Sequence, residues 1–134
     1  MTLTEDHVRS LFRELEHGNE ENFFKHVADD VDWTVMGTHP LAGHYTSKQA
    51  FLHATFSKLA PLFAHGLQLH VEHITMAGNR AIVELRSMAT AKSGLRFDNR
   101  YCWIVDFGDL RIIRVRAYLD SALVAKLFEE AQPR

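Results

Sequence analysis

The stretch RAIVELRSMATAKSGLRFDNRYCWIVDFGDLRIIRVRAYLD, residues 80–120, decides the fold, because three runs within it alternate in hydrophobicity with the period of a strand. Ala81, Val83, Leu85 and Ser87 share one parity. So do Leu95, Phe97, Asn99, Tyr101, Trp103, Val105 and Phe107, and then Ile113, Val115, Ala117 and Leu119. Side chains two apart in a strand face the same way, so each run offers an apolar face to one core. The opposite face carries Glu84, Arg86, Arg96, Asp98, Arg100, Arg114 and Arg116, which suits water or a subunit contact. Ser87, Asn99 and Tyr101 interrupt the apolar face, and burying such groups unpaired costs about 1–3 kcal/mol each. Either backbone or water satisfies them, or the sheet curls around a cavity where a few polar groups orient a ligand.

Upstream of this block the period is helical. Thr2 and Glu5 have capping-box spacing, and Val8, Leu11, Phe12 and Leu15 form one stripe of a first helix that ends at Gly18. Asn19 is placed to cap a second, shorter helix burying Phe23, Phe24 and Val27. Asp29 and Asp30 break the pattern before a short strand of Val31, Trp33 and Val35, and residues 37–43, with Gly37, Pro40 and Gly43, read as a connection. Thr46 and Gln49 repeat the capping-box spacing ahead of a third helix with Phe51, Leu52, Thr55, Phe56 and Leu59. A half-buried strand starts at Leu67. Turns at residues 77–80, 92–94 and 108–109 then make the remaining strands an antiparallel meander, and a final helix, Ser121 to Ala131, has Asp120 in position to cap it.

The 134 residues form one expected domain, 1–134, with a formal charge of -2 and 10% aromatic residues. No basic stripe favours nucleic acid, no run approaches the length of a membrane span, and the N-terminal residues lack the apolar core of a signal peptide. The lone Cys102 forbids an intrachain disulfide and points to a cytoplasmic setting. Nine histidines lack metal-ligand spacing, with no HExxH or CxxC, so no metal is expected.

Three helices, a short strand, a long sheet and a closing helix give an α+β fold. The order resembles the cone-shaped fold of nuclear transport factor two, the ketosteroid isomerases and the SnoaL-like polyketide cyclases. Residues 33–45, from Trp33 to Tyr45, then Asn99-Arg100-Tyr101, then residues 114–120, from Arg114 to Asp120, are similar to the pattern of SnoaL-like, ketosteroid-isomerase-related proteins. The resemblance implies a curved antiparallel sheet with the N-terminal helices packed on its concave face, a C-terminal helix, a homodimer, and no cofactor.

It also implies where catalytic groups would fall. Aligning Gly37 with the glycine after the isomerase base puts Thr34 in the base position, Leu11 near the oxyanion tyrosine and residues 101–103 near the protonated aspartate. None of the three supplies the required group. In the limonene-epoxide hydrolases an aspartate stands between arginine and tyrosine in the last strand, where this chain has Arg116-Ala117-Tyr118. The cyclases use a single aspartate, a role open to Asp120 only if its carboxylate turns into the cone.

The candidates that remain are His39, Tyr101 and Asp120 for catalysis, with the ligand pocket expected from Trp33, Thr34, His39, Tyr45, Ser87, Asn99, Tyr101 and Ala117. His39 is chosen because an imidazole titrates near neutrality, with His73, of core-facing parity, as the alternative. Asn99 and Tyr101 are expected to point into a cavity roofed by the first and third helices. Two functions stand: a small cofactor-independent isomerase, cyclase or hydrolase on a compact apolar carbonyl or polyketide-like compound, or a catalytically silent module that binds such a molecule or only dimerises.

Overall fold

The structure, a computed structural model, describes residues 2–131. Helix α1 (Glu5–Glu16) buries Val8, Leu11, Phe12 and Leu15 along the expected stripe, and α2 (Glu20–Phe24) buries Phe23 and Phe24. Strand β1 (Val27–Val35) follows at once, then the short β2 (Gly43–Tyr45), α3 (Lys48–Ala54), α4 (Phe56–Leu59) and a 3-10 turn, Ala60–Leu62. Strands β3 (His70–Ala77), β4 (Arg80–Arg86), β5 (Arg100–Gly108) and β6 (Arg111–Leu119) lead to α5 (Ser121–Ala131). The six strands form one curved, open sheet in the order β2-β1-β6-β5-β4-β3, antiparallel except where β1 runs parallel to β6. The helices cover the concave face, as the resemblance implied. No helix among the described residues is long and apolar enough to cross a membrane.

Several local expectations are corrected. The caps are Thr4, whose Oγ1 accepts from the His7 amide at 3.1 Å, and Ser47, whose Oγ accepts from the Ala50 amide at 3.1 Å, each displaced from the predicted Thr2 and Thr46. Val27, Asp29 and Asp30 belong to β1: the two aspartates are exposed on a strand that tolerates them because its other face is buried. The third helix is broken at Thr55, whose backbone leaves the helical region (φ -121°, ψ -78°) while its hydroxyl donates to the Phe51 carbonyl at 2.7 Å.

The long run from Leu95 to Phe107 is a strand only from Arg100. Residues 87–99 fold into an irregular hairpin bridged at Thr90 and Arg96, and Phe97 and Asn99 stay buried without belonging to a named strand. Two bulges invert parity. One, between Val71 and His73, turns His73 outward and brings Ile74 and Met76 to the core; the other, opposite Asp106 and Phe107, buries Ile112 and leaves Ile113 exposed.

Phe12, Phe23, Phe24, Trp33, Phe51 and Trp103 form a chain of ring contacts through the main core, with Trp33 stacked on Phe51 at 4.0 Å and edge-on to Trp103 at 5.3 Å. A smaller cluster around Leu41, Phe63, Phe97, Val124 and Leu127 seats α5. Lys48 ties the helices to the sheet. Its Nζ donates to the carbonyls of Phe24 (2.9 Å) and Val27 (3.1 Å) and pairs with Asp29 (3.2 Å), so the end of α2, the start of β1 and the first turn of α3 are held by one cation.

Candidate functional site

Between the sheet and the short helices lies an apolar cavity of about 70 Å³. Because about 10–15 Å³ of such space holds one water, the void suits a compact molecule. Trp33, Val35, Tyr101, Trp103 and Ala117 form its sheet wall; Phe51, Thr55, Phe56 and Leu59 close it from α3 and α4; Glu20 contributes from α2. No residue of α1 lines it. The expected roof is therefore corrected, since Phe12 is spent on Trp103 (5.8 Å) and Phe23 (5.1 Å) deeper in the core.

Tyr101 brings a phenol into this wall. Ser87 Oγ donates to the Phe97 carbonyl at 3.0 Å and accepts from the Asn99 amide at 3.1 Å, so its remaining contact, 3.3 Å from Tyr101 Oη, leaves the phenol as the donor. That separation is long for an O–H···O bond, whose usual length is ~2.7–2.8 Å, and the phenol proton is available to a better acceptor. Burial, offset only in part by the Ser87 hydrogen bond, pushes the Tyr101 phenol well above its ordinary range. It is a neutral donor, never a base, at physiological pH.

Trp33 supplies a second donor. Its side chain is fully buried, the residue belongs to the cavity lining, and its Nε1 has no hydrogen-bond partner among the described residues. An orphaned buried N–H costs about 1–3 kcal/mol, a cost that an acceptor oxygen within its reach would relieve.

His39 lines the same cavity, but both ring nitrogens are committed to its own loop. The Leu41 amide donates to Nδ1 at 3.1 Å, which fixes the proton on Nε2, and Nε2 donates to the Met36 carbonyl at 2.9 Å. Gly37 lets this loop fold tightly. Its φ is +114°, and a Cβ there would meet Ser121 Oγ and, at 2.9 Å, His39 Cδ2. His39 is buried rather than an exposed loop residue, with both ring nitrogens hydrogen-bonded within its own loop.

The other expected residues separate cleanly. Trp33, His39, Tyr101 and Ala117 line the cavity; Thr34, Tyr45, Ser87 and Asn99 do not. Thr34 alternates with the buried Trp33 and Val35 and pairs with His44 and Arg116, away from the cavity. Tyr45 Oη donates to the Leu41 carbonyl at 2.9 Å and closes the same loop. Ser87 positions Tyr101 from behind. Asn99, fully buried, accepts from the Asp120 amide at 3.0 Å and donates to its carbonyl at 3.3 Å. Asp120 in turn accepts from the Leu123 amide through Oδ1 at 3.1 Å, the geometry of an N-cap for α5.

The SnoaL-like domain model matches residues 8–115. This chain belongs to the SnoaL-like family. A curated fungal protein, dimerizing cyclase phiC, is 30% identical over 107 residues; the match takes in 77% of this chain and 47% of that protein, so the chain spans about half the length of the curated relative it matches. Among solved structures, an NTF2-like protein of Burkholderia thailandensis E264 superposes with a TM-score of 0.79 at 22% identity, covering 96% of both chains. TerC, co-crystallized with polyporic acid, gives 0.72 at 17% identity, covering 92% of this chain and 96% of its own.

Within the SnoaL-like frame, the positions to which the resemblance assigned acid–base groups are empty of them. Thr34 faces away, Leu11 is buried in the core, Ala117 is a methyl in the wall, and Asp120 is a cap. The acidic residue that does line the cavity of this SnoaL-like chain is Glu20, which no motif in the sequence singles out. Its signal was present. Glu20 and Phe24 are four apart on α2 and share a face, and Phe24 packs on Trp33 (6.0 Å), Phe51 (6.0 Å) and Phe56 (5.3 Å), all cavity residues. Burial pushes the Glu20 carboxyl above its ordinary range. Among the described residues no three His, Cys, Asp or Glu side chains gather to hold a metal ion.

Proposed function

We propose that this SnoaL-like chain binds a compact, largely apolar carbonyl compound in the cavity and acts on it, without a cofactor, as an isomerase or cyclase. The observation that carries this reading is that two residues with neutral donors, Tyr101 and Trp33, whose Nε1 has no partner among the described residues, stand in a predominantly apolar cavity wall. An apolar pocket with a few donors orients a ligand by its oxygen and takes the rest by burial. The cyclase name of the fungal relative supports the class of reaction, and the co-crystal of TerC supports a small organic ligand. The competing reading, a silent binding module, draws on the commitment of His39 and Asp120 to backbone.

The test uses 2-tetralone, a compact aromatic ketone, with binding followed by tryptophan fluorescence. Saturable binding is expected, weakened about 2- to 10-fold in Tyr101→Phe, the loss of one net hydrogen bond, and abolished in Ala117→Leu, which fills the void. Binding unaffected by Ala117→Leu would place the ligand outside the cavity and overturn the reading. The same proposal includes a homodimer through the outer face of β5 and β6.

A further inference from the structure

We propose that Glu20 is the proton-transferring residue of the cavity, working against a donor pair formed by Tyr101 Oη and Trp33 Nε1. The inference rests on the carbonyl-binding reading above and adds the group that reading lacks. Three observations converge. Glu20 is an acidic residue of the cavity lining, it is held one helical turn before Phe24 on the face that packs on Trp33, Phe51 and Phe56, and Trp33 has a buried N–H with no acceptor among the described residues. Lys48 fixes the end of α2 against α3, so the carboxylate is carried on a braced element.

The step balances without any further reagent. The Glu20 carboxylate takes a proton from the carbon next to the carbonyl, the C–H pair becomes a carbon–carbon double bond, and the carbonyl π pair moves onto oxygen as an enolate. Tyr101 and Trp33 hold that oxygen through hydrogen bonds that strengthen as its charge grows. Return of the proton from Glu20 to the same carbon, or to a conjugated one, restores the carbonyl and the carboxylate. A carboxyl raised by burial is closer to neutrality and so a better base than an exposed one. The other titratable groups on the cavity are His39, whose nitrogens face Met36 and Leu41, and Tyr101; Glu21 neighbours Glu20 on the polar outer side of α2.

The experiment follows deuterium uptake next to the carbonyl of 2-tetralone in D2O by NMR, with tetralone affinity measured in parallel. The wild-type chain should accelerate uptake. Glu20→Gln should lower the protein-catalysed rate by about 100-fold or more, with affinity kept within about threefold, and Glu20→Asp should recover part of the rate. Stability provides the control for folding. A carboxyl raised in the folded state stabilises the fold while it is protonated, and that contribution is lost as pH rises through the folded value. Glu20→Gln should therefore melt at or above wild type at pH 7, with the gap closing by about pH 4, the ordinary range of a glutamate. Uptake that is not accelerated by a chain that binds tetralone, or that is the same in Glu20→Gln as in wild type, would overturn the assignment of Glu20 alone. Absence of tetralone binding in both proteins would sink the carbonyl reading, and this inference with it.

Discussion

Asn99 spends its whole side chain on the backbone of Asp120, and that choice separates two polar residues that strand parity had grouped together. Parity placed Asn99 and Tyr101 on the concave side. It does not tell a group facing backbone from one facing a void, because that depends on where β6 hands over to α5. Asp120 belongs to the same junction. Asp120→Ala should cost about 0.5–2 kcal/mol, while Asp120→Asn and Asp120→Ser should be nearly neutral, since each keeps an acceptor for the Leu123 amide. Urea denaturation measures the first; a loss of turnover in Asp120→Asn at unchanged stability would reinstate the aspartate as a proton carrier. The place of Glu20 is illegible in the sequence for a related reason: a five-residue helix gives too few repeats to show its buried face, which appears only where Phe24 packs against Trp33.

At the scale of elements, the strands were legible wherever hydrophobicity alternated without interruption, as in Ala81, Val83 and Leu85 on β4 and Tyr101, Trp103, Val105 and Phe107 on β5. Alternation misleads where a bulge inserts a residue, because one extra residue reverses every side chain beyond it. Strict alternation places Ile113 and His73 inward for that reason, and both are exposed. Near the bulge on β6, Asp106 accepts from Arg80 Nε at 2.6 Å and lies 3.6 Å from Arg114, linking β4, β5 and β6. The hydrogen bond from Arg80, with the charges of Arg80, Arg114 and Arg116, holds the Asp106 carboxyl below its ordinary range. A depressed carboxylate contributes stability that is fully present above its ordinary value, ~3.9, and is lost as pH falls through the lower folded value. Asp106→Asn should therefore melt below wild type at pH 7, and the difference should shrink as pH falls below about 4. Melting curves whose separation is unchanged down to pH 2 would show that the ion pairs contribute nothing.

Over the whole molecule, curvature gives the sheet two dissimilar faces, one closed by helices around the cavity and one left bare. The bare face of β5 and β6 carries Cys102, Ile104, Arg116 and Tyr118, with Tyr118 43% exposed, and its charges are largely matched in place: Arg114 with Asp32 and Asp106, Arg100 and Arg86 with Glu72. Matched charges around a few apolar side chains make a surface that a second copy can cover without burying unpaired ions, and a two-fold contact needs a self-complementary patch of this kind. Light scattering should then give twice the 15.4 kDa protomer mass. Ile104→Arg, which adds an unmatched cation at the centre of the patch while leaving the concave face untouched, should shift the mass to that of one protomer. Because the cavity is lined by residues of α2, α3 and α4 on the concave side of the sheet, that variant should still bind 2-tetralone with wild-type affinity. A chain that stays monomeric over a wide range of concentration would refute the dimer, and a loss of tetralone binding on dissociation would show instead that the second copy is needed to hold the cavity in shape.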